Sequence, residues 1–241
     1  MPNVQPEPVA PKNPSASSAP LHLVWDWNGT VLNDFEIILR STNASFGDHG
    51  LPAITADQYR TQIKMPIRSF YAEILGQEPT DEEWEAMDAS FHRYYVAFER
   101  EARLSDGLPD LFREWAGRGR SQSLLSMYHD DKLVPAVRHH GIAHHFALVQ
   151  GTRPPRPARK STHLRDHLDR LGLDPARVVL IGDSPDDAHA AQSVGAHAIL
   201  YSGGFAAVQS LRSAGAPIVD DLAAAVAMID EVLAADAQAG A

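Results

Sequence analysis

The sequence contains no cysteine among its 241 residues. Disulfides, thiolate metal sites and cysteine nucleophiles are thereby excluded. It also lacks any run of about 18 apolar residues, the length a membrane-crossing helix needs. The first twenty residues hold no apolar stretch of the kind a signal peptide carries. Basic residues are scarce: 21 Lys and Arg stand against 31 Asp and Glu, for a net charge of -10. Affinity for phosphate backbones comes mainly from Lys and Arg, so an acidic chain is a poor general nucleic-acid binder. Neither nucleic acid nor membrane is expected as a partner, and a soluble cytoplasmic protein is the default expectation. Oligomeric state is not readable. With 44% hydrophobic residues, the chain is long enough to bury a core in one domain, or in one domain plus an insertion.

Residues 1–20 are rich in Pro, Ser and Ala and are expected to form a disordered tail, because they cannot bury enough apolar surface to offset their ordering entropy. Short apolar runs follow at Leu21–Trp25, Ser121–Leu125, Ala147–Val149, Val178–Ile181 and Ala198–Leu200, and each reads as a buried strand. Helical patterns separate most of them. Leu108, Leu111, Phe112 and Trp115 share one face, as do Leu164, His167, Leu168 and Leu171 before Gly172. Alternation of this kind predicts an α/β fold: a doubly wound parallel sheet covered on both sides. Residues 35–105 break the rhythm with helices and no convincing strand. The clearest of these helices opens with Thr80 and Glu83 in capping-box spacing and carries Trp84, Met87, Phe91, Tyr94, Tyr95 and Phe98, which read as core of a small helical bundle.

Four separated pieces of sequence then belong together: Asp26-Trp27-Asn28-Gly29-Thr30 after the first strand, Ser126 at the end of the second, Lys160 between the third and fourth, and Gly182-Asp183-Ser184-Pro185-Asp186-Asp187 after the fourth. In a doubly wound sheet the carboxyl ends of the strands line one edge, where ligands bind. Asp26 and Asp183 would repel each other there unless a cation lay between them. Carboxylates, a carbonyl and water suit Mg²⁺. A phosphate group would complete the charge balance, held by Lys160 and Ser126, with Asp26 facing the phosphorus as nucleophile.

This set resembles the four motifs of the haloacid dehalogenase-like (HAD) superfamily, in its phosphoglycolate-phosphatase-like subgroup, from Leu21 to about Gly204. The resemblance implies a Rossmann-like core at 21–34 and 106–241 with a helical C1-type cap at 35–105. It implies a Mg²⁺-dependent phosphatase of a small phosphorylated metabolite, working through an aspartyl-phosphate. Asp26 would be the nucleophile and a metal ligand, and Asn28 would lend its backbone carbonyl to the metal. Thr30 would steady the loop through its hydroxyl. Ser126 and Lys160 would hold the phosphoryl group, Asp183 would ligate the metal, and Asp187 would support it. Trp27, Asn28, Met127 and the cap residues Lys64 and Arg68 are expected to touch substrate.

One position departs from the pattern. Two residues after the nucleophile the family usually has an Asp that shuttles protons; here it is Asn28, whose carboxamide cannot. An acyl phosphate, a proton from elsewhere, weak catalysis, or a phosphonatase-like C–P cleavage relying on Lys64 would each accommodate it, as would a binding or regulatory protein of the same fold. Lys160 is also followed by Ser161 rather than the more usual proline. Arg153, Arg156 and Arg159 read as a solvated loop, and His139, His140, His144 and His145 as a surface group rather than a metal site.

Overall fold

The computed structural model describes residues 21–63, 66–154 and 159–239. The expected N-terminal tail, Lys64 and Arg156 lie outside the described residues. The chain opens with β1 (His22–Trp25) and the short β2 (Leu32–Asn33). Four helices follow: α1 (Phe35–Asp48), α2 (Ala56–Gln62), α3 (Ile67–Leu75) and α4 (Asp81–Phe98). After β3 (Arg103–Leu104) come α5 (Leu108–Gly117), β4 (Ser121–His129), α6 (Asp130–His139) and β5 (Val149–Thr152). The remainder runs α7 (Lys160–Leu171), β6 (Val178–Gly182), α8 (Pro185–Val194), β7 (His197–Tyr201), α9 (Val208–Arg212), β8 (Ile218–Val219) and α10 (Leu222–Ala239).

Six strands form one parallel sheet in the order β5-β4-β1-β6-β7-β8. Its central strands are buried on both faces, which is why they read as continuous apolar runs. Alternate residues divide between two cores. Leu23, Trp25, Leu124, Val179 and Ile181 face α5, α6 and α10 through Phe112, Trp115, Leu133 and Ile229. Val24, Leu125 and Leu180 face α7 and α8 through Leu164, Leu168, Ala188 and Ala191. Each large side chain so buried contributes about 1.5–3 kcal/mol. No described helix is long and apolar enough to cross a membrane.

A two-residue antiparallel pair, β2 with β3, brackets the four helices: the chain departs through Leu32–Asn33 and returns through Arg103–Leu104. The predicted capping box at the start of α4 is present, with Thr80 N donating to Glu83 Oε2 at 2.8 Å and Glu83 N to Thr80 Oγ1 at 3.2 Å. α4 packs along α1, where Ser45 Oγ donates to the Met87 carbonyl at 3.1 Å. The aromatic positions of α4 divide: Tyr95 is buried, whereas Tyr94 is partly exposed and donates to Asp48 Oδ1 at 3.0 Å.

One polar chain crosses the interior. Gln150 Nε2 donates to Asp166 Oδ2 at 2.7 Å, and Gln150 Oε1 lies 2.9 Å from His167 Nδ1. His167 Nε2 is 2.7 Å from Ser123 Oγ, which is 2.8 Å from His22 Nε2, and His22 Nδ1 is 2.7 Å from Ser121 Oγ. An amide oxygen only accepts, so His167 carries its proton on Nδ1; Ser123 then donates to His167 and accepts from His22, leaving Ser121 to donate to His22 Nδ1. Burial pushes His22 down to about 4 and His167 down to about 3, the latter aided by neighbouring His22 and His163. Both rings are neutral at pH 7.

Candidate active site

The register sets the site. Trp25 at the end of β1 pairs with Leu124 of β4 and Ile181 of β6, and Asp26 N donates to the Ile181 carbonyl at 2.9 Å. Asp26 and Asp183 therefore leave adjacent strands one residue apart in register. Lys160 opens α7 and Asp187 lies in the first turn of α8. All four side chains are buried, with Asp26 6%, Lys160 5%, Asp183 2% and Asp187 1% exposed, which leaves their charges to one another rather than to water. Lys160 Nζ forms ion pairs with Asp26 Oδ1 and Asp187 Oδ1. Ser184 fixes the other Asp187 oxygen, through its N–H at 3.0 Å and its hydroxyl at 2.6 Å.

One oxygen from each of Asp26, Asp183 and Asp187 lies within 4.8 Å of the others. Burial pushes Asp26 up to about 7; Lys160 opposes that shift and Asp187 adds to it. Asp183 is held well above the ordinary carboxylate range, first by burial and then by Asp26 and Asp187. Burial works against the charge of Lys160, yet Asp187 and Asp26 keep it protonated and raise it above its usual value.

The three carboxylates outnumber the one ammonium among them, and among the described residues no cation pairs with Asp183. Its hydrogen-bond donor is Phe205 N, at 2.6 Å from Oδ2. Gly29 and Gly204 back onto this carboxylate; a Cβ on either would collide with Asp183 Oδ2. Gly29 also adopts φ 74°, which favours glycine. An all-oxygen, overcharged and sterically cleared pocket fits a hard divalent cation.

The other sequence-predicted residues divide. Ser126 and Met127 line the cavity above Asp26. β4 does not end at Ser126, as expected, but continues to His129 past a register irregularity after Leu125; Ser126 Oγ accepts from Tyr128 N at 3.0 Å. The Trp27 side chain is fully buried and sits 6.0 Å from the His140 ring, so only its backbone serves Asp26. Thr30 does not steady the loop through its hydroxyl, which has no hydrogen-bond partner among the described residues; its carbonyl does so, accepting from Ser105 Oγ at 2.6 Å.

Arg68 does not line the cavity. Its neighbour Ile67 does, while the Arg68 guanidinium reaches Asp81 at 2.7 Å and the Pro79 carbonyl at 2.6 Å, tying α3 to the start of α4. Arg153 and Arg159 are exposed, as the solvated-loop reading expects, and Arg153 also holds Asp130 through Nε at 2.9 Å and Nη2 at 2.6 Å. The histidine group belongs to no metal cluster among the described residues.

Asp34 and Tyr95 were not read as functional. Asp34 is completely buried before α1, where a carboxylate looks like an N-cap, but its side chain caps nothing. It accepts from Asn28 Nδ2 at 2.7 Å, Gly29 N at 2.9 Å and Tyr95 OH at 2.7 Å. Burial pushes Asp34 up to about 6 against those donors. Asn28 Nδ2 also donates to Tyr95 OH at 2.8 Å.

The sequence profile of the haloacid dehalogenase-like hydrolases matches residues 23–201. The chain belongs to this family. It is 24% identical over 193 residues to a 5'-nucleotidase of Pseudomonas aeruginosa, covering 80% of this chain and 87% of that one. It is also 24% identical over 199 residues to a phosphoglycolate phosphatase of Synechococcus elongatus, covering 80% and 88%. A haloacid dehalogenase-like protein from Streptococcus pneumoniae superposes with a TM-score of 0.76 at 20% identity, covering 86% of this chain and 97% of that one. The α/β Rossmann-like core is thus that of the family, and the chain is a haloacid dehalogenase-like hydrolase.

Proposed function

We propose that this enzyme is a Mg²⁺-dependent phosphatase that hydrolyses a small phosphorylated metabolite through an aspartyl-phosphate on Asp26. Residues 21–34 and 106–241 serve as its core and residues 35–105 as its cap. The observation that carries the reading is the convergence of buried Asp26, Asp183, Asp187 and Lys160 at the carboxyl edge of the sheet. Asp26, the Asn28 backbone carbonyl and Asp183 would hold Mg²⁺, with Asp187 in support. Such an ion supplies charge neutralisation for the transferring phosphoryl group.

An oxygen of the Asp26 carboxylate attacks phosphorus as the ester P–O bond breaks, and the bonding pair leaves with the alcohol oxygen. Lys160 and Ser126 hold the phosphoryl oxygens, so the charge that builds on them meets fixed donors rather than mobile water. Water then attacks the phosphorus of the acyl phosphate, frees inorganic phosphate and restores Asp26. Asp187 and Ser184 keep Lys160 in place throughout.

Two relatives of equal identity carry names with different substrates, so likeness alone does not choose one. A C–P cleavage reading depends on Lys64, outside the described residues, and no observation favours it. The test is phosphate release from a panel of phosphate esters, with Mg²⁺ and with excess chelator. Asp26→Asn should abolish release and also the acid-stable phosphoryl adduct on the Asp26 peptide. Full activity in chelator, or in that variant, overturns the reading.

A further inference from the structure

Two features of the cavity bear on what leaves the phosphorus, and this inference rests on the phosphatase reading above. The first is the wall. The cavity over Asp26 and Lys160 has a volume of about 540 Å³. Away from its charged floor it is walled by Ile38, Ile63, Ile67, Phe91, Met127 and Phe205. Among the described lining residues Lys160 is the one Lys or Arg, and it is already engaged by two carboxylates. Among the described lining residues, a carboxylate on the substrate's alcohol part would find no guanidinium and no second ammonium, only the imidazoles of His92 and His189, and Asp186 also lines the cavity. An apolar ring, by contrast, meets aromatic faces, since Phe91 and Tyr95 stack with centroids 5.9 Å apart on the same wall.

The second feature is the orientation of Asn28. Its amide nitrogen is committed to Asp34 Oδ2 and Tyr95 OH, two groups that accept from it at 2.7 and 2.8 Å. That fixes the carboxamide: the nitrogen faces away, and the polar atom Asn28 offers to the cavity is its carbonyl oxygen, an acceptor only. Asn28 therefore orients an incoming water or hydroxyl but cannot protonate a departing oxygen. Asp34 is completely buried behind that amide, so it does not reach the leaving group itself.

The geometry points to a phosphate ester of an apolar, ring-bearing alcohol that leaves as a weak base, an aryl phosphate. Asp26 forms its bond to phosphorus while the P–O(aryl) bond breaks. The electron pair departs on the aryloxide, which takes its proton from solvent, and water completes the second step.

The experiment compares kcat/KM in Mg²⁺ for ring-substituted phenyl phosphates, benzyl phosphate, acetyl phosphate and phosphoglycolate. Benzyl phosphate keeps the apolar body but leaves as a strongly basic alkoxide. Phenyl esters should exceed it by about a hundredfold or more, the scale of an absent general acid, and rates should climb steeply as the phenol becomes more acidic. Phosphoglycolate should be poorest. Phe91→Ala should lower phenyl phosphate relative to acetyl phosphate by about tenfold, since only the former loses ring contact. Benzyl phosphate or phosphoglycolate turned over as well as phenyl esters overturns this assignment while leaving the phosphatase reading intact. A Phe91→Ala enzyme with an unchanged ratio does the same. No phosphate release from any ester overturns both.

Discussion

Tyr95 and Asn28 meet at 2.8 Å although 67 residues separate them, and both turn to the same buried carboxylate, Asp34. The contact joins α4 directly to the loop that carries Asp26.

Replacing Tyr95 by Phe removes one donor from Asp34 and one acceptor from Asn28. A buried charged group short of a partner costs about 1–3 kcal/mol, so denaturant titration should show a loss of that size. Turnover should fall as well, because the Asn28 amide is then held from one side. A variant that keeps full stability and full turnover would show the triangle to be incidental.

Asn28→Asp alone should not supply the missing acid. It sets a second carboxyl where a donor now lies 2.7 Å from Asp34, and two such groups share one proton. That proton lies between them, away from the cavity. Pairing the change with Asp34→Asn restores a neutral neighbour. The double variant should then gain on alkyl esters by about 10²-fold or more, with little gain on phenyl esters. The readout is the alkyl-to-aryl ratio of kcat/KM, single against double.

Mg²⁺ should raise the thermal midpoint, since an ion that binds the folded state alone stabilises it by about 2.7 kcal/mol at a hundred times its Kd. Asp183→Ala should erase most of that rise. Gly204→Ala should reduce metal affinity by about 10–100-fold, because its new methyl runs into Asp183 Oδ2. Equal midpoint shifts in all three proteins would place the ion elsewhere.

Acid should weaken the fold through His22 and His167. Their folded-state pKa values, about 4 and about 3, lie below the unfolded value of 6.5. The unfolded chain therefore binds more protons between those limits. Stability from these rings is complete above pH 6.5 and is lost as pH falls toward 4 and then 3, by about 1.4 kcal/mol per unit for each ring. Urea midpoints at pH 7 and pH 5 should differ accordingly, and His167→Gln should shrink the difference.

The central strands were legible because burial on both faces leaves only apolar residues, as at Val178–Ile181. β5 was placed early, at Ala147–Val149, because the strand itself holds Gln150 and Thr152, polar residues that are buried with partners and break the apolar signal. β2, β3 and β8 have two residues each, too few for any period to register. In the site, Asp26 and Asp183 were legible from strand-end positions, and Lys160 as the lone lysine between the third and fourth strands. Asp34 was hidden by its place before a helix, where a capping role accounts for an Asp without reference to anything distant. Tyr95 was hidden in an aromatic stripe that also packs, and Arg68 misled because its pairing with Asp81 depends on how two helices meet.

The chain of bonds from Asp166 to Ser121 also has a heading. Asp166 sits exposed at one end, where its Oδ2 accepts from Gln150 Nε2. That single constraint orients the Gln150 amide, then the tautomer of His167, then the Ser123 hydroxyl, then His22 in β1. A residue at the surface thus writes the arrangement of hydrogens in the middle of the protein. Asp166→Asn erases the instruction: the amide at that end can receive or give, and once the Gln150 amide turns over the whole row is free to run the other way.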